Sequence, residues 1–299
     1  MTAAPLAPPR PRADGRQHLT LDADGVTLSA RLARPAEGPP RATVVALHGA
    51  GMSAGYFDGP AHPETSLLAV AAELGFTAVA VDRPGYGMSS ARLPHGQGVA
   101  AQAATLAAAL RDLVARHETG AGVFLMGHSF GSKTALRIAA DGTVPGLLGL
   151  DLSGCGAEYV VPPAAPATRA AGWKLNWGPL RLYPPGTFRS SARIVTPAPE
   201  RELADAAHWP SAFAALAERV RVPVRFTFAE HEAWWRHDRQ ALARLRGRLV
   251  AAPRVLIDRQ PEAGHNISLG WAARAYHLRA LGFAEECLRR WPAGTERRP

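Results

Sequence analysis

Six short apolar runs, separated mostly by segments of helical pattern, set the strongest limit on what this chain can fold into. The runs are "ATVVAL" (42–47), "TAVAV" (77–81), "GVFLM" (122–126), "GLLGLDL" (146–152), "VRFTFA" (224–229) and "RVLI" (254–257). Each is nearly continuous and too short for a helix, which is the pattern of strands buried on both faces of a parallel sheet. Helix-type periodicity marks 65–74, 99–117, 132–140, 238–250 and 271–291. Such alternation predicts an α/β domain with right-handed crossovers. Ahead of it, "HLTLDADGVTLSARL" alternates apolar and polar residues on both sides of Asp24-Gly25, which signals an antiparallel hairpin. The expected fold is a mostly parallel central sheet of about eight strands flanked by helices.

One segment breaks the rhythm. Between Gly156 and Arg219 stand nine prolines and the aromatics Tyr159, Trp173, Trp177, Tyr183, Phe188, Trp209 and Phe213, with no strand pattern. A structureless loop of that length is rare inside a compact domain, so an inserted, partly helical cap is expected over 157–218. The core then comprises 16–156 and 219–299. Residues 1–15, rich in Pro, Ala and Arg, read as a disordered tail without the apolar stretch of a secretory signal.

Composition narrows the function classes. The 299 residues are 47% hydrophobic, enough for a sizeable core. The net charge of +9 rests almost wholly on arginine, since Lys133 and Lys174 are the only lysines. Ten arginines lie between Arg219 and Arg259, against four acids. They form a solvated face or a dock for an anionic substrate or acidic carrier protein. No nucleic-acid module accompanies the charge. Cys155 and Cys287 give neither a disulfide framework nor metal-type spacing, and no run approaches the length needed to cross a bilayer. A cytoplasmic protein is expected; the sequence is silent on oligomeric state.

The chemistry concentrates at "LMGHSFGSKTAL" (125–136). Here G-x-S-x-G sits between an apolar strand and a helix, the setting of a nucleophile elbow that exposes Ser129 at the carboxyl edge of the sheet. A serine hydroxyl needs a base. His265, in "EAGHNISLG" after the last strand, is placed at that same edge and comes last in chain order, as the base does in this architecture. His48 and His128 are expected to brace loops. The acid that orients the imidazole should follow the run 224–229. Glu232 is the first choice, then Glu230, then Asp238, with Asp151 on the preceding strand as a fourth. The stretch His48-Gly49-Ala50-Gly51 offers backbone N–H groups, so those of Ala50 and Phe130 could form an oxyanion hole.

Two other patterns are weaker. Gly49 to Ala54 reads G-x-G-x-x-A, a dinucleotide fingerprint, but "GYFDGPAHPE" afterwards is a poor helix start, so no cofactor is expected. "HEAWW" (231–235) has Trp235 where a zinc-protease helix has its second histidine, so no metal is expected.

Taken in order, H-G-A-G (48–51), D-R-P-G-Y-G-M-S (82–89), G-H-S-F-G (127–131), an acidic turn after a late strand and G-H-N (264–266) resemble the α/β-hydrolase fold superfamily over nearly all of 20–291. The resemblance implies Ser129 as nucleophile, His265 as base, and Ala50 and Phe130 as oxyanion donors. It also implies a structural loop at Asp82–Gly87 and a cap at 157–218. Family members often carry Gly-x-x-Asp after the late strand; here Ala229-Glu230-His231-Glu232 stands there, which favours Glu232. Serine at the elbow argues against epoxide opening and dehalogenation, for which relatives carry aspartate. The expected activity is hydrolysis of an ester, thioester or lactone of an apolar or aromatic small molecule through an acyl-enzyme. The alternatives are an acyltransferase, cyclase or carrier-protein thioesterase, and a non-catalytic binding protein on the same fold.

Overall fold

A computed structural model describes residues 16–161 and 169–289. The expected tail lies outside them. Eight strands form one sheet: β1 (Gln17–Ala23), β2 (Val26–Ala33), β3 (Thr43–Leu47), β4 (Thr77–Val81), β5 (Val123–His128), β6 (Leu147–Ser153), β7 (Val224–His231) and β8 (Val255–Gly264). Their order is β1-β2-β4-β3-β5-β6-β7-β8, with β1 and β2 antiparallel to their neighbours and β4 to β8 joined in parallel through β3. The hairpin turns at Asp24 and Gly25, both at positive φ (52° and 85°), which matches the right-handed twist of the strands it joins.

The helices are α1 (Leu67–Glu73), α2 (Val99–Arg116), α3 (Phe130–Asp141), α4 (Arg169–Trp177), α5 (Thr187–Ser191), α6 (Glu200–Ala217), α7 (Arg239–Arg248) and α8 (Ala273–Arg289). They explain the uninterrupted apolar runs. Leu106, Leu110 and Leu113 of α2, Leu136 of α3 and Phe213 of α6 pack on one face of the sheet, while Leu68 of α1 and Tyr276 and Phe283 of α8 pack on the other. With both faces covered, every residue of β3, β4, β5 and β6 is buried.

The segment between β6 and β7 carries α4, α5 and α6. Its aromatics do two jobs. Trp209 and Phe213 join the main core, with Trp209 Nε1 donating to Gly156 O at 2.9 Å. Trp177, Tyr183 and Phe188 cluster edge to face.

The last strand differs from expectation. The pattern 254–257 predicts four residues, whereas β8 runs on to Gly264 through polar Asp258, Arg259 and Gln260 and through Pro261. An edge strand tolerates this because one side of its ladder faces no partner. A register shift opposite Ala229 to His231 and a positive φ at Glu262 bend its end. That bend delivers His265 to the carboxyl edge.

Candidate active site

The sharp turn between β5 and α3 is built by two glycines with no room for a side chain. A Cβ on Gly127 would stand 2.5 Å from Ser132 Cα, and one on Gly131 would overlap the carbonyl oxygens of Leu47 and His48. Ser129 between them has φ 52° and ψ −113°, strained for an L residue, and is held by its N–H donating to Ser153 O at 2.8 Å. Its side chain is half-buried and lines a cavity of about 240 Å³ that Gly49, Ala50, Met52, Phe130, Lys133, Trp234, Trp235 and His265 also line.

His265 is 4% exposed. Its Nδ1–H donates to Glu232 Oε2 at 2.9 Å, with Oε1 at 3.1 Å. The tautomer follows from the network: a carboxylate on Nδ1 leaves Nε2 as the acceptor. Glu232 is itself fixed by the Trp234 N–H at 2.9 Å. The other carboxylates are engaged elsewhere. Glu230 accepts the Glu262 N–H, Asp238 caps α7 by accepting from Gln240 and Ala241, and buried Asp151 takes Arg225 and the Tyr276 hydroxyl. The structure thus brings Ser129, His265, Ala50 and Phe130 to one cavity and sets Glu232 behind the histidine.

Ala50 follows β3 and Phe130 opens α3, where helical N–H groups have no partner in their own helix. Among the described residues neither N–H has an acceptor in the chain. The loop carrying Ala50 is braced from below. Buried His48 donates from Nδ1 to Gly49 O and accepts the Arg83 N–H on Nε2. Burial, with the Arg83 guanidinium second, holds its pKa well below the ordinary value, so it stays neutral. His128 is likewise kept neutral, by burial first and then by His265, and stacks on Tyr56. The fingerprint-like glycines lead into a 3₁₀ turn, Ala54–Phe57, rather than a long helix.

Sequence patterns marked Asp82–Gly87 as a structural loop but did not show how two groups found here are arranged. The first is a buried network: Arg83 donates to His48 O, Gln102 and both oxygens of Glu202, while Tyr86 donates to Glu202 and accepts the Gly51 N–H at 2.9 Å. It ties α6 to the Ala50 loop. The second is Lys133, whose signal was its rarity in a chain that otherwise uses arginine. The cavity's tryptophans, Trp234 and Trp235, follow β7, whereas Trp177 and Trp209 between β6 and β7 are used in packing; that segment contributes Tyr159, Asn176, Glu202, Leu203 and Ala206 to the cavity.

The model of the alpha/beta hydrolase family matches residues 44–286. The chain belongs to that family. No curated protein matches it. Among solved structures this alpha/beta hydrolase is similar to a highly thermostable carboxyl esterase from Bacillus coagulans, at 18% identity and TM-score 0.67, over 92% of this chain and 99% of that one. It is also similar to the thioesterase domain from the curacin biosynthetic pathway, at 16% identity and TM-score 0.59, over 89% and 99% of the two chains. A third is a cold-adapted esterase from an Arctic intertidal metagenomic library, at 19% identity and TM-score 0.54, over 92% and 93%. These likenesses concern the fold. Among the hydrolase's described residues no cluster of three or more His, Cys, Asp or Glu is arranged to hold a metal ion, and no helix is long and apolar enough to cross a membrane.

Proposed function

We propose that this alpha/beta hydrolase cleaves an ester, thioester or lactone of a small molecule through an acyl-enzyme. One observation carries the reading: an elbow serine and an imidazole backed by a buried carboxylate open on the same cavity. Ser129 Oγ attacks the carbonyl carbon as His265 Nε2 takes its proton. The N–H groups of Ala50 and Phe130 receive the developing oxyanion, a contribution of about 3 kcal/mol per donor in acyl transfer. Collapse expels the alcohol or thiol, which leaves with the proton from Nε2. Water, deprotonated by the same nitrogen, then frees the acid and restores Ser129. Glu232 keeps the ring oriented and stabilises the imidazolium without taking its proton.

The helices of the insertion act as a cap in this scheme, with Tyr159, Leu203 and Ala206 forming the roof of the cavity. A dock for an acidic carrier draws less support. Arg219, Arg225, Arg236, Arg244, Arg248 and Arg254 are each paired with a carboxylate, so much of that positive charge is met within the chain.

A fluorophosphonate should label Ser129 stoichiometrically, and Ser129→Ala should lose ester turnover by about six orders of magnitude. Retained turnover in Ser129→Ala, or labelling at another residue, overturns the proposal.

A further inference from the structure

Among the described residues, one lysine or arginine opens on the cavity of Ser129. Lys133 lies four residues into α3, so about 6 Å of helical rise separates it from the serine. It is 4% exposed. Its Nζ donates to Tyr159 Oη at 2.7 Å, and Tyr159 in turn donates to Ala206 O at 3.0 Å. The rings of Phe130, Tyr159, Trp209 and Trp235 surround the ammonium with centroids at 5.4 to 5.5 Å. Among the described residues Lys133 forms no ion pair, and the neighbouring Glu202 already serves Arg83, Gln102 and Tyr86.

Ring faces compensate a desolvated ammonium only in part. A buried cation with no carboxylate in direct contact, Glu202 and Asp205 acting on it only from a distance, favours an anion brought by the ligand. With a single cation and aromatic walls, the enclosure suits a monocarboxylate better than a phosphate dianion, which needs more donors.

We propose that Lys133 is the specificity-determining residue of this cavity, binding a carboxylate that the substrate carries about one helical turn from the carbonyl Ser129 attacks. The substrate is then an ester of a carboxylate-bearing small molecule with an apolar or aromatic spacer lying against Trp234 and Trp235. This deepens the hydrolase assignment and rests on it. The chemistry on the other side of the scissile bond is set elsewhere.

The test separates binding from turnover. In Ser129→Ala protein, affinities of 4-phenylbutyrate and its uncharged isostere 4-phenylbutyramide are compared by calorimetry at pH 7. The carboxylate should bind at least tenfold tighter, about 1.4 kcal/mol. Adding Lys133→Met should bring the two together. The preference in Ser129→Ala alone should also fade as pH rises past about 8, where burial leaves Lys133 neutral. The groups facing Lys133 are Cys155, Tyr159, Glu202, Asp205 and Arg83. Burial pushes the Cys155 thiol up to about 12 and the Tyr159 phenol higher still, so neither titrates in that window. Equal affinities at pH 7, a preference that survives Lys133→Met, or no binding of either ligand overturns the proposal. The pH series decides it if the double variant does not fold. Absence of ester turnover in the unmodified protein, with the carboxylate preference intact, instead removes the hydrolase assignment and leaves the anion site.

Discussion

Glu232 meets His265 across 33 positions of sequence because β7 and β8 are adjacent parallel strands that each end at the same edge of the sheet. The carboxylate accepts from both His265 Nδ1 and the Trp234 N–H, so its orientation is fixed before any substrate arrives. An amide at that position accepts weakly and presents an N–H that favours the wrong tautomer. Glu232→Gln should therefore lower kcat by about 10⁴ with little change in KM. Glu230→Gln and Asp238→Asn should leave kcat near that of the parent enzyme, since neither carboxylate touches the ring. Steady-state kinetics on one p-nitrophenyl ester distinguishes the three, and a large loss in Glu230→Gln would transfer the role.

Gly131 carries the elbow against β3. A methyl group there meets the backbone carbonyls of Leu47 and His48, which no rotamer change can move. Gly131→Ala should destabilise the fold by about 3 kcal/mol or more, read as a lower urea midpoint at unchanged slope. Activity should fall further than stability alone explains, because the same displacement lifts Ser129 away from the Ala50 loop. A variant as stable as the parent would show that the turn can relax.

The sheet was legible because its signals are local. Apolar runs bounded by turn residues mark β3 to β7, and Asp24-Gly25 marks the hairpin. The end of β8 was not, since polar residues and Pro261 argue against a strand unless its edge position is known. That Ser129 and His265 lie at one edge of the sheet could be read from their position after strands. The carboxylate that meets His265 could only be ranked, because Glu230, Glu232 and Asp238 fall within nine residues at the end of β7 and which of them reaches the ring depends on tertiary geometry. Lys133 and the Arg83–Glu202 pair were out of reach. Their burial depends on α6 docking against α3, and Glu202 lies 119 positions from Arg83.

Arg83 and Glu202 are both fully buried, and each is the other's counter-ion. Removing one side leaves a charge in a low-dielectric site. Glu202→Leu should destabilise by about 3 to 5 kcal/mol. The double variant Arg83→Met/Glu202→Leu should recover much of that loss, because the uncompensated guanidinium is gone. Urea titration of the two single variants and the double gives the coupling energy directly. Additive losses would mean that the two side chains stabilise the fold independently.

Lys133 should limit stability while serving recognition. Burial lowers its folded pKa to about 8, below the value near 10.4 of an unfolded lysine. Between those values the unfolded chain holds one proton more than the folded one, so this group makes stability rise with pH across that window. Below pH 8 the folded protein carries the full penalty of the enclosed ammonium. Lys133→Met removes the charge, fills similar volume and leaves Tyr159 still donating to Ala206 O. Part of the gain is offset by the lost hydrogen bond and ring contacts. The variant should be more stable at pH 7 by about 1 to 2 kcal/mol, an increase of several degrees in Tm. That advantage should shrink towards pH 10, where the parent's lysine is neutral in the fold. Thermal melts of both proteins at pH 7 and pH 10 test the sign; a variant less stable at pH 7, or an advantage unchanged by pH, would mean that the aromatic enclosure fully compensates the cation.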